Sequence, residues 1–167
     1  MKDAYVIFTK SRIKCPLIGR IIEFFQKGKS HVAIMFYIDM DKNWYVVDST
    51  GSGVKTHTMD NFSKKNKVVK RYSIPSTEQQ KIMIMRRAIE SSYEHYPRLE
   101  IVGNLVQIVF GWIGIIIGNP FKMGEKAPRC NEYVAIILRD IYGFEIKEDL
   151  DSTDLLWLEE YLDKKLS

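Results

Sequence analysis

Few side chains here can supply a nucleophile or carry a proton near neutral pH: two cysteines, Cys15 and Cys130, and three histidines, His31, His57 and His95. Nucleophilic thiol chemistry needs a thiolate and an imidazole close enough to manage the proton. Cys130 follows Pro128-Arg129 and precedes Val134, Ile137, Leu138 and Ile141, an apolar series spaced as one helix face. That spacing predicts a helix N-terminus at the thiol, where unpaired N–H groups and the positive end of the helix dipole favour thiolate. The same N–H groups can contribute to an oxyanion hole. Cys15, just before Pro16, has a comparable local setting. Local physics does not separate the two, and each also reads as a buried structural thiol.

His31 follows Gly28-Lys29-Ser30 and opens an apolar run over 32–38 that reads as a strand. A strand end can aim an imidazole rigidly towards a cleft; the plainer reading is a hydrogen-bonded surface histidine. His57 and His95 lie in polar or turn-like surroundings and read as surface histidines. Asp48 ends the run 44–48, the expected partner of the His31 strand, so its carboxylate can orient the imidazole. Its other reading is a turn or cap residue. The histidines and cysteines are too few and too dispersed for a metal motif, and no glycine-rich phosphate loop is visible, so no cofactor is expected.

Several elements must position these residues. A short buried strand is expected over 5–9. Pro16 opens a helix over 17–26, closed by Gly28 in a left-handed conformation. The strands over 32–38 and 44–48 form an antiparallel hairpin across the turn Asp41-Lys42-Asn43. Gly51-Ser52-Gly53 is a turn, followed by a short strand over 54–58. An edge strand over 68–72 is guarded by lysines. A helix running to about residue 92 begins at a capping box of Ser76 and Gln79, with Ile82, Met85 and Ile89 as its buried stripe. The Cys130 helix ends at Gly143, and Ser152 or Thr153 caps a last helix that buries Leu155, Leu158 and Leu162.

The chain of 167 residues suits one domain, and 46% hydrophobic with 28% charged residues excludes disordered, collagenous and low-complexity classes. With no repeat and no linker, a single α+β domain over 1–167 is the simplest account. The net charge of +4 is too small to identify a nucleic-acid binder. Five cations between Lys64 and Arg71 read as a solvated loop and edge strand. No secretory signal is evident at the start, so a cytoplasmic setting is expected. Both thiols would stay reduced there, which argues against a Cys15–Cys130 disulfide.

The order of the pieces resembles the circularly permuted papain-like hydrolases of the NlpC superfamily, including the YiiX-like and lecithin retinol acyltransferase-like groups. Ser30-His31-Val32-Ala33-Ile34 matches the family's early histidine strand, and Cys130-Asn131-Glu132-Tyr133-Val134 its late cysteine helix, 99 residues further on. Tyr93 and Tyr96 precede the apolar region between them. The likeness runs from about Ala4 to Leu158. It implies a small antiparallel sheet packed against helices, Cys130 as nucleophile and His31 as general base. Asp48 takes the third, polar position, often His or Glu in relatives, with Ser49 or Thr50 as substitutes. Glu132 matches the family's glutamate, and a position two residues along the helix points away from Cys130, so structural support is expected from it. The family resemblance is what raises Cys130 above Cys15. The implied activity is a cysteine hydrolase (peptidase- or amidase-like) or acyltransferase on an amide, ester or thioester of a peptide, cell-wall peptide or lipid acyl substrate.

The stretch 101–121 carries no charged residue. It is long enough to span a membrane, but Asn104, Gln107, Asn119 and its glycines weaken that reading. A span would also separate His31 from Cys130. The readings are a buried helix with a loop, an apolar lid or groove wall suited to an acyl chain, or membrane contact. The competing function is a non-catalytic binding module on the same fold that uses 101–121 as its contact surface.

Overall fold

The computed structural model describes residues 2–12, 27–50, 53–92, 128–146 and 154–166. In chain order the elements are β1 (Ala4–Ser11), β2 (His31–Ile38), β3 (Asn43–Thr50), β4 (Gly53–Thr58), α1 (Met59–Lys65), β5 (Asn66–Ile74), α2 (Glu78–Ser91), α3 (Cys130–Tyr142) and α4 (Leu155–Leu166). The five strands form one antiparallel sheet in the order β4-β3-β2-β1-β5. The described chain is therefore α+β, with a small antiparallel sheet and helices. The expected helix over 17–26, Cys15, His95, Tyr93, Tyr96, the stretch 101–121, and the proposed caps Ser152 and Thr153 lie outside the described residues.

Strand alternation sorts the apolar residues onto two faces. Val6, Phe8, Val32, Ile34, Phe36 and Val47 pack on one face with Ile84 and Ala88 of α2, Val134, Ile137 and Leu138 of α3, and Leu155, Leu158 and Leu162 of α4. Ile7, Ala33, Met35 and Val46 face the other way, against Phe62 of α1. That short helix joins β4 to β5, the two edges of the sheet. Four strand spacings make a flat sheet about 19 Å wide, whereas seven helical residues rise only about 10 Å. The sheet must therefore coil strongly, with α1 inside the curl.

The expected strands are all present, extended by one or more residues at their ends. Gly28, Gly53 and Gly143 have positive φ, and Gly143 closes α3 through its N–H on the Arg139 carbonyl. α1 was not expected: its apolar content is small, and Phe62 is its buried residue. α2 differs by one residue at two points. Its capping box is Thr77 with Gln80, not Ser76 with Gln79. Ser76 is buried instead, accepting from the Ala4 N–H at 3.3 Å and hydrogen-bonded to the Tyr142 hydroxyl at 2.7 Å. The buried stripe is Lys81, Ile84, Ala88 and Ser91; of the expected residues Met85 packs, partly buried, against the core, while Ile82 and Ile89 are exposed. Lys81 enters the buried stripe because its ammonium reaches Glu78 Oε1 at 2.6 Å. At α4, the Asp154 carboxylate accepts from the Trp157 N–H at 2.7 Å, an N-cap interaction.

Candidate active site

His31 is the first residue of β2, opposite Thr9 of β1. The β2–β3 ladder runs from Ile38–Asn43 to Ile34–Val47 and ends there. Beyond it the two strands part, and in that opening Asp48 Oδ2 lies 3.0 Å from His31 Nε2. By alternation His31 shares the face of Ala33 and Met35, and Asp48 that of Val46. Ser49 points the opposite way, and its hydroxyl donates to the Pro128 carbonyl at 2.5 Å. One pair of adjacent residues thus orients the imidazole and anchors the chain entering α3. Thr50 Oγ1 donates to the Gly53 carbonyl at 3.3 Å. Of the three candidates for the third position, Asp48 is the one whose contact with His31 has hydrogen-bond geometry.

Cys130 is the first residue of α3, half-buried against the core. Its thiol faces the Asn131 Oδ1 at 4.0 Å and lies close enough to His31 for the charge of each to shift the titration of the other. With Nε2 on Asp48, Nδ1 is the imidazole nitrogen left for the thiol. Glu132 turns back on the helix start: its Oε2 accepts from the Arg129 N–H at 2.8 Å, and Oε1 pairs with the Arg129 guanidinium. This is a helix-capping arrangement directed away from the sulfur.

Burial is the largest influence on both Cys130 and His31, and it opposes the charged form of each. Opposing effects outweigh it. Attraction between thiolate and imidazolium holds the Cys130 thiol below its ordinary range. The same attraction, with the Asp48 hydrogen bond, pushes His31 up to about 10. The arrangement favours the charged forms of the Cys130 thiol and the His31 imidazole beside a buried carboxylate.

His57, read from the sequence as a surface histidine, is half-buried on β4, with Nε2 3.2 Å from Asp48 Oδ1. The β3–β4 register was the only available signal: it sets His57 opposite Val46, two residues from Asp48 and on the same face of the strand. Asp48 therefore has an imidazole near each carboxylate oxygen. Among the described residues, no group of three or more His, Cys, Asp or Glu side chains is arranged to hold a metal ion. Among them, too, no helix is long and apolar enough to cross a membrane. In comparisons with known proteins, no family model matches the chain and no curated protein matches it.

Proposed function

We propose that the protein is a cysteine-nucleophile hydrolase or acyltransferase of the permuted papain-like type, with Cys130 as nucleophile, His31 as general base and acid, and Asp48 as orienting carboxylate. The observation that carries this reading is a thiol at a helix N-terminus, near enough to His31 to be shifted by its charge, with His31 Nε2 3.0 Å from a buried carboxylate oxygen. The Cys130 thiolate attacks a carbonyl carbon of an amide, ester or thioester, forming a C–S bond. Backbone N–H at the α3 terminus stabilises the oxyanion. As the tetrahedral species collapses, the bond to the leaving group breaks and the His31 imidazolium protonates that group. Neutral His31 then takes a proton from water or another acceptor, which attacks the thioester and frees the thiolate. The reaction needs reduced Cys130, which suits the cytoplasm. Peptide, cell-wall peptide and lipid acyl groups are the substrate classes of this reading.

The test is to label the protein with a small electrophile at neutral pH and map the modified thiol by mass spectrometry. Cys130 should react before Cys15, and His31→Ala should slow its labelling roughly tenfold, since an ordinary thiol is only a few per cent thiolate at pH 7. A panel of p-nitrophenyl esters, acyl thioesters and short peptides should then leave an acyl adduct on Cys130. Preferential labelling of Cys15, or Cys130 labelling indifferent to His31→Ala, would sink the reading.

A further inference from the structure

Asp48 is nearly fully buried, and its two oxygens have different surroundings. Oδ2 is hydrogen-bonded to His31, while Oδ1 has no aligned hydrogen-bond donor. A buried carboxylate oxygen left without a donor is costly, so a ring nitrogen close to it is significant. Such a nitrogen is His57 Nε2, 3.2 Å from Oδ1. The His57 ring lies against Phe62 of α1, with centroids 6.3 Å apart, which limits how far it can swing away. Lys55, the direct cross-strand neighbour of Asp48, is exposed and makes no ion pair with it among the described residues. The His57 side chain is 35% exposed, against 16% for His31 and 5% for Asp48. It therefore stands between the buried carboxylate and solvent.

We propose that His57 is a positioning residue: its Nε2–H holds Asp48 Oδ1, so that Oδ2 stays on His31 Nε2 and the imidazole stays aimed at Cys130. This rests on reading Cys130, His31 and Asp48 as a thiol catalytic set. A carboxylate turns readily about its last torsion. One hydrogen bond leaves that rotation soft, and a second donor on the opposite oxygen restrains it. The arrangement spreads one set over three neighbouring strands, with His31 on β2, Asp48 on β3 and His57 on β4. The coil of the sheet and α1 within it keep the outer member in place.

The experiment measures the rate at which iodoacetamide modifies Cys130 at pH 7 in the wild type, His57→Ala, His57→Gln and His31→Ala. His57→Ala should slow the reaction about fivefold. His57→Gln should restore it to within twofold of wild type, because its side-chain N–H can reach the same oxygen. A wild-type rate in His57→Ala while His31→Ala is slow overturns the positioning role and leaves the catalytic set standing. Equal slowing in the Ala and Gln variants also overturns it, since ring volume rather than the N–H would then matter. A wild-type rate in His31→Ala instead removes the underlying reading. If His57→Ala does not fold, His57→Asn, too short to reach Oδ1, takes its place under the same criteria.

Discussion

At the scale of single residues, Cys130 and His31 oppose burial with mutual charge. The sign of each shift sets its pH window. Folded His31 is raised to about 10, so its stabilising contribution is complete below its ordinary value near 6.5 and is lost as pH rises through about 10. Folded Cys130 is lowered, so its contribution is present above its ordinary value of about 8.5 and is lost as pH falls through the lowered folded value. Alkylation of wild-type Cys130 should therefore plateau below pH 8.5, and His31→Ala should move the midpoint up to that value or past it. Turnover should fall again near pH 10 as the imidazolium that protonates the leaving group disappears. Stopped-flow alkylation and a pH–rate profile check both limbs. At this scale Cys130, His31 and Asp48 were legible as types at strand and helix ends. His57 was not, because its significance lies in a cross-strand register rather than in its neighbours along the chain.

At the scale of elements, the placement of α2 and α3 depends on polar contacts as well as apolar faces. The apolar spacing of α2 favours Ile82, Met85 and Ile89 as the inner face, yet the helix buries Lys81, Ile84 and Ala88. Two polar residues account for the difference. Ser76 is held by β1 and by Tyr142 of α3, which leaves Thr77 to cap the helix. Lys81 enters the interior with its charge on Glu78. Thr77→Ala should cost about 1 kcal/mol of stability in urea denaturation and leave the m-value unchanged. For α3 the apolar series was sufficient: Val134, Ile137 and Leu138 are buried, Ile141 packs beside them, and Gly143 ends the helix as its chemistry suggests. The difference is composition, since α3 has one apolar stripe and α2 has apolar residues on both faces.

At the scale of the whole molecule, α4 secures the chain that leads into β2. The Glu159 carboxylate pairs with Lys29, two residues before His31, and with Lys70 of β5 at 3.1 Å. Asp163 accepts from Lys70 at 2.8 Å and from the Tyr72 hydroxyl at 2.6 Å. Burial tends to raise Glu159, but hydrogen bonds from the two lysines outweigh it and hold the carboxyl below its ordinary range. Its contribution is therefore present above the unfolded carboxyl pKa and lost as pH falls through the folded one. Glu159→Gln removes the carboxylate paired with largely buried Lys29, and should cost about 2 kcal/mol at pH 7. The cost should shrink as pH falls below the carboxylate range, which denaturation at pH 7 and pH 3 would show.

The sequence by itself determined the elements whose signals are local: the strands with their alternating faces, the hairpin turn, the glycine that ends α3, and a thiol at a helix start. It also marked Cys130, His31 and Asp48 as the residues to test, with a family resemblance deciding between two cysteines. Only the tertiary structure decided which side chains meet. It ended the β2–β3 ladder at Ile34–Val47, brought the α3 terminus to that opening through Ser49 and Pro128, and paired β4 with β3 in a register that set His57 beside Asp48. These are contacts between segments far apart in the chain or across strand register. Their energy depends on distance in space, which local residue spacing does not encode.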